Sequence, residues 1–165
     1  MTSIPAPGHT PALVAVLTVL CLPLTAAAQS DAYASFEDGN RLFRENLYWA
    51  ALLRYRQAGE QGMDTPLLHY NTGIAHYRAG QHVRARESLL RALADPALLN
   101  AARYNLGLNA WALGDSEEAL RWFRAVRDQQ ANEKLRQFAV VAISRIRAAQ
   151  QTPSEYAVPP ASGRS

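Results

Sequence analysis

The chain has 165 residues, of which 48% are apolar, with a formal net charge of +3 and one cysteine, Cys21. That length bounds the count at one or two domains, and the apolar fraction is enough for a real core. The small positive charge argues against a nucleic-acid surface, since Lys134 is the sole lysine beside sixteen arginines, a bias toward arginine rather than a basic patch.

Residues 1–28 contain no Lys, Arg, Asp or Glu, and from Ala12 to Leu24 they run almost wholly apolar. Thirteen residues as a helix would span roughly 20 Å, short of the ~30 Å hydrocarbon core of a bilayer. Pro23 breaks the run and Ala26-Ala27-Ala28 follows as a small-residue site. This order reads as a secretory signal peptide cleaved after Ala28. The expected address is therefore exported and periplasmic. Cys21 would leave with the signal, so the mature chain has no disulfide and no Cys-based metal site. Nothing after residue 28 is long and apolar enough to span a membrane.

The turn residues and the glycines repeated every 34 residues predict helices at about 32–45, 48–60, 66–79, 82–94, 99–113 and 116–128. The turns support these ends. Asn46, Gly80 and Gly114 fall where a left-handed residue closes one helix before the next. Thr65-Pro66 and Asp95-Pro96 precede the third and fifth helices. Asp115-Ser116-Glu117-Glu118 supplies a cap and acidic residues to a first turn. A seventh helix is expected at 132–150, with Leu135, Phe138, Val141 or Ala142, Ile143 and Ile146 on its apolar face and Lys134, Arg136, Arg145 and Arg147 around them. Residues 151–165 hold three prolines, a glycine and three serines, and are expected to be disordered.

These helices repeat. Gly39, Gly73 and Gly107 are spaced by 34 and 34. Ala51, Ala85 and Ala119 keep the same spacing, as do Tyr55, Leu89 and Phe123, and then Ala58, Ala92 and Val126. An aromatic follows each glycine by four: Phe43, Tyr77 and Trp111. This pattern resembles the tetratricopeptide repeat (TPR) family, whose period is 34 residues. The resemblance covers residues 32–128. It implies an all-α fold, an α-solenoid of three helix-turn-helix repeats at about 32–65, 66–98 and 99–128, closed by a C-terminal capping helix at 132–150. Glycine and the first alanine then sit where two helices cross most closely. Each helix alone is marginal in water, so stacking must supply most of the stability.

By the same resemblance, the first helix of each repeat lines a concave protein-binding groove. The columns hold Tyr33, Phe36, Asn40, Phe43 and Arg44, then Tyr70, Asn71, Ile74, Tyr77 and Arg78, then Tyr104, Asn105, Leu108 and Trp111. Aromatics beside arginine are the material of protein-binding hot spots. The competing reading is that several of them only pack against neighbouring helices. Some family members clamp a C-terminal carboxylate with two asparagines and three cations. Asn40 and Asn71 fill the asparagine columns here, but Phe36, Ala101 and Asn105 stand in the basic ones. Without those cations a carboxylate is not held tightly, so an extended or helical peptide with apolar side chains is the expected ligand.

No catalytic constellation, cofactor motif or metal set emerges. His69 and His76 lie two helical turns apart, roughly 10 Å, too far to share one ion at ~2.1 Å bonds. His76 reads as a core or boundary histidine. Many arginines lie on the second helices, among them Arg54, Arg84, Arg121 and Arg124, where solvation is the simplest role and an acidic partner or anionic lipid the alternative. The expected function is non-catalytic: a scaffold or adaptor binding a protein or peptide during cell-envelope assembly or export, without nucleic acid. The rivals are a self-assembling structural protein and an accessory subunit of an envelope enzyme.

Overall fold

The computed structural model describes residues 29–129 and 132–151. The signal peptide expected over residues 1–28 and the tail from residue 152 lie outside the described residues. Seven helices follow one another: α1 over 29–44, α2 Tyr48–Glu60, α3 Pro66–Arg78, α4 His82–Ala92, α5 Leu99–Ala112, α6 Ser116–Arg127 and α7 Glu133–Gln151. There is no strand among the described residues.

Local chemistry sets the ends. Asn46, Gly80 and Gly114 have φ of 62°, 74° and 81°, so each first helix turns sharply into its second through a left-handed residue. Thr65 accepts from the Leu68 N–H at 3.2 Å with Pro66 at the first helical position, and Asp115 accepts from the Glu118 N–H at 2.8 Å. Asp95-Pro96 behaves differently from Thr65-Pro66. Asp95 caps a turn at the Ala97 N–H, 2.8 Å away, and α5 begins only at Leu99.

Small residues let the helices close. A Cβ added at Gly39 would lie 2.6 Å from the Tyr55 ring, at Gly73 2.7 Å from Leu89 Cγ, and at Gly107 2.7 Å from Phe123 Cε1. The partners are deeply buried: Tyr55 is 2% exposed, Leu89 and Phe123 0%. Burying a side chain of this size contributes about 1.5–3 kcal/mol. Ala51, Ala58, Ala85, Ala92, Ala119 and Val126 are all fully buried beside them.

Odd helices form one layer and even helices the other. Consecutive helices pack from α2 to α7, α3 also meets α5, and α5 meets α7. No pair of even helices brings Cα atoms within 8 Å. The solenoid therefore curves with α1, α3, α5 and α7 inside. Long side chains bridge the wider outer face, as where Arg86 reaches Glu118 at 3.1 Å.

The seventh helix buries most of its expected face, and Phe138 alone departs from it. Ala139, Ala142, Ile143 and Ile146 are buried against α6, and Leu135 packs at the margin. Phe138 and Val141 are 47% and 49% exposed, so neither belongs to the buried stripe. Ala142, not Val141, faces inward.

Candidate functional site

The inner face is built by hydrogen bonds between successive odd helices. Asn40 Oδ1 accepts from the Tyr55 hydroxyl at 2.9 Å and from Asn71 Nδ2 at 2.8 Å. Asn40 Nδ2 donates to Glu37 Oε1 at 3.3 Å. One repeat further, Asn105 Nδ2 donates to the Tyr70 hydroxyl oxygen at 3.1 Å and to the Ala101 carbonyl at 2.9 Å. These amides tie α1 to α3 and α3 to α5, and they leave aromatic edges between them.

A pocket of about 290 Å³ opens between the first two repeats, lined by Asn40, Phe43, Arg44, Tyr55, Asn71 and Ile74. The Phe43 ring lies tilted 5.4 Å from Tyr48, and the Tyr77 ring meets His82 edge-on at 5.6 Å. Tyr104 lies 5.5 Å from Phe123 and 6.4 Å from Phe138. Tyr33 is 59% exposed at the start of the strip. Leu108 and Trp111 are half-buried against the core of α6 and α7, so they offer edges rather than whole side chains. Arg44 and Arg78 are exposed, and neither makes an ion pair among the described residues.

Phe36 is a correction. It is 5% exposed and rests on Tyr55 at 6.0 Å, so it belongs to the core beneath the groove. The same column holds Tyr70 and Tyr104, both half-buried. Sequence reasoning missed two contributors. Tyr55, assigned only a packing role, brings its hydroxyl to the pocket. Phe138 extends the aromatic strip onto α7, and its spacing of 34 from Tyr104 was the available signal.

Burial pushes the Tyr55 phenol up to about 12. Burial also raises Tyr70, against the hydrogen bond from Asn105, and raises Tyr104. All three stay neutral near physiological pH and act through hydrogen bonds and ring faces. The histidines have separate partners. His69 Nε2 meets Asp64 at 2.6 Å, His76 Nδ1 meets Gln81 at 2.6 Å, and His82 Nδ1 donates to Asn109 Oδ1 at 3.0 Å. Burial lowers the His76 pKa, against the Gln81 hydrogen bond.

A larger groove of about 960 Å³ lies on the outer side, with Trp49, Leu52, Leu53 and Met63 among its lining. Trp49 and Leu53, one turn apart and 65% and 52% exposed, were the signal for it. Most of its charges pair, Arg56 with Glu60 at 3.6 Å and Asp64 with Arg91 at 3.0 Å, while Arg84 meets only the Gln81 amide at 3.5 Å. The inner face keeps Arg44 and Arg78 without carboxylate partners, which makes it the better candidate for recognition.

Comparison with known proteins agrees with this geometry. The tetratricopeptide repeat model matches residues 66–91 and 100–125. Photosystem I assembly protein Ycf3 of Cuscuta gronovii is 32% identical over 121 residues, which cover 67% of this chain and 71% of that one, and the protein of the same name from Cuscuta obtusiflora matches equally. The chain belongs to the tetratricopeptide repeat family. Solved tetratricopeptide domains share the fold. The first such domain of Spaghetti (RPAP3), bound to an HSP90 peptide, superposes with a TM-score of 0.64 at 22% identity, covering 75% of this chain and 96% of that one. The second domain of human RPAP3, in complex with an HSP70 peptide, gives 0.62 at 22%, covering 73% and 98%. The N-terminal domain of stress-induced protein-1 from C. elegans gives 0.60 at 16%, covering 70% and 97%. In this tetratricopeptide chain, Asn40 and Asn71 bond to each other, while Phe36 in the first basic column of a carboxylate clamp is buried.

Proposed function

We propose that this protein is a non-catalytic adaptor that holds an extended or helical segment of another protein along its inner face. The observation that carries this reading is the combination of aromatic edges linked by amides along the odd helices with Arg44 and Arg78 standing beside them without ion pairs among the described residues. Such a surface supplies ring faces for apolar side chains, amides for a peptide backbone and cations for an occasional carboxylate. The relatives are named as assembly proteins, which supports a role in building a larger complex. The solved neighbours hold peptides in domains of this fold.

The apolar, uncharged run ahead of Ala28 supports an exported, periplasmic setting, hence a scaffold for envelope assembly or export. Fractionation of cells producing the tagged chain tests the address: the account expects it outside the cytoplasm and shortened by the leader, and a full-length cytoplasmic chain would refute it. A photo-crosslinking residue at Tyr77, on the inner face, tests the groove against one at Val83, which is 67% exposed. An adduct from position 77 and none from 83 is expected; the reverse pattern would move the site to the outer face.

A further inference from the structure

The terminal helix carries a second interaction surface. In the first and third repeats, the odd helix presents an aromatic and a glycine to its own even helix. Phe36 and Gly39 rest on Tyr55, and Tyr104 and Gly107 rest on Phe123. The residues 34 positions after Tyr104 and Gly107 are Phe138 and Val141 on α7. No even helix follows α7 among the described residues, and these two side chains stand 47% and 49% exposed.

At 100° per residue, Lys134, Phe138, Val141 and Arg145 form one stripe along that face. The order is cation, aromatic, aliphatic, cation. Lys134 Nζ sits 5.9 Å over the Phe138 ring. Neither Lys134, Arg145 nor Arg147 makes an ion pair among the described residues. The single carboxylate of α7, Glu133, is taken by Arg136. Beside the stripe, a groove of about 500 Å³ runs between α6 and α7 past Arg127, Gln137, Val140 and Val141. It opens where a fourth even helix would lie.

We infer that α7 docks an amphipathic helix of another protein, with apolar residues over Phe138 and Val141 and carboxylates at both ends against Lys134 and Arg145. Charge decides against a second copy of this chain. Antiparallel pairing of two α7 helices about a two-fold axis would place Lys134 opposite Arg145 at both ends of the stripe, and like charges facing each other oppose association. Val141 replaces the glycine of earlier repeats, so the docked helix rides on the valine rather than in direct backbone contact. This surface adjoins the Tyr104 end of the inner strip, where Phe138 lies 6.4 Å from the Tyr104 ring, and sits on a different helix from Tyr70 and Tyr77.

The test uses a fluorescein-labelled peptide of the α6 sequence 116–128 carrying Arg121→Glu, Arg124→Glu and Arg127→Glu, titrated by anisotropy against the full chain. Saturable binding is expected, at least tenfold tighter than that of the unaltered α6 peptide. Phe138→Glu with Val141→Glu should weaken it tenfold or more with unchanged helicity, since both sites are half-exposed. Lys134→Glu with Arg145→Glu serves as a second variant with the same expected loss. Tyr70→Ala with Tyr77→Ala should leave it unaltered. No saturable binding, equal binding by the α7 variants, or loss in the inner-face variant would each overturn the assignment. So would a wild-type dimer in sedimentation that Val141→Glu dissociates, which would make a second copy the occupant.

Discussion

Gly107 and Phe123 give the most discriminating test of the packing. A Cβ at Gly107 would meet Phe123 Cε1 at 2.7 Å and Cδ1 and Cζ at 2.9 Å. The ring is 0% exposed, with little room to move. Gly107→Ala therefore combines two opposing effects. Removing a mid-helix glycine gains about 1 kcal/mol, and forcing a methyl into a filled space costs about 1–3 kcal/mol. The single substitution should destabilise by ~1 kcal/mol, lowering Tm by roughly 3–5 °C for a chain of this size. Phe123→Ala should cost about 3–5 kcal/mol. In that background the clash is gone and only the helix gain remains, so adding Gly107→Ala should stabilise by ~1 kcal/mol. The sign reverses, and the coupling between the sites is on the order of 2 kcal/mol. Urea unfolding of the four proteins, followed by far-UV circular dichroism, measures it. An equal effect of Gly107→Ala in both backgrounds would refute the contact.

Three further outcomes follow from the same structure. Ala85 is 0% exposed, so Ala85→Arg should cost above about 4 kcal/mol by placing a charge in a closed helix crossing; an unchanged melting temperature would contradict the repeat register. Burial lowers the His76 pKa from 6.5, so the unfolded chain binds more protons there, and stability rises with pH. That contribution is complete above the unfolded value and is lost as pH falls through the lower folded one. Urea midpoints between pH 7.5 and 5 should therefore decline less in His76→Gln than in the wild type, and parallel profiles would contradict the assignment. Arg44→Glu with Arg78→Glu should change stability by less than about 0.5 kcal/mol, because both are exposed surface residues, yet weaken partner binding at least tenfold by isothermal titration; retained affinity would remove the arginines from the site.

The fold was legible because its geometry needs particular residues at a fixed period. Gly39, Gly73 and Gly107 each sit under a side chain that leaves no room for a Cβ, and Asn46, Gly80 and Gly114 each occupy a left-handed turn. Helix ends lie within three residues of those the periodicity predicts. The inner face was legible in column and less so in exposure. Phe36 and Phe138 share one column, but the first is covered by Tyr55 of α2 and the second is half-exposed, with Tyr104 as its aromatic neighbour. Whether a column faces solvent depends on which helix follows, and a repeat pattern carries no record of that at its last member. Tyr55 was read as packing because its column is apolar in Leu89 and Phe123; the hydroxyl that distinguishes it is what reaches Asn40. The outer groove escaped because Trp49 and Leu53 fall in no registered column.

Affinity capture tests the central claim most directly, with the wild-type chain and its Tyr70→Ala, Tyr77→Ala variant as parallel baits in envelope extract and bound proteins identified by mass spectrometry. The account predicts at least one protein held by the wild type and lost from the variant, at equal helicity of the two baits. The same set on both baits would contradict recognition through the inner face.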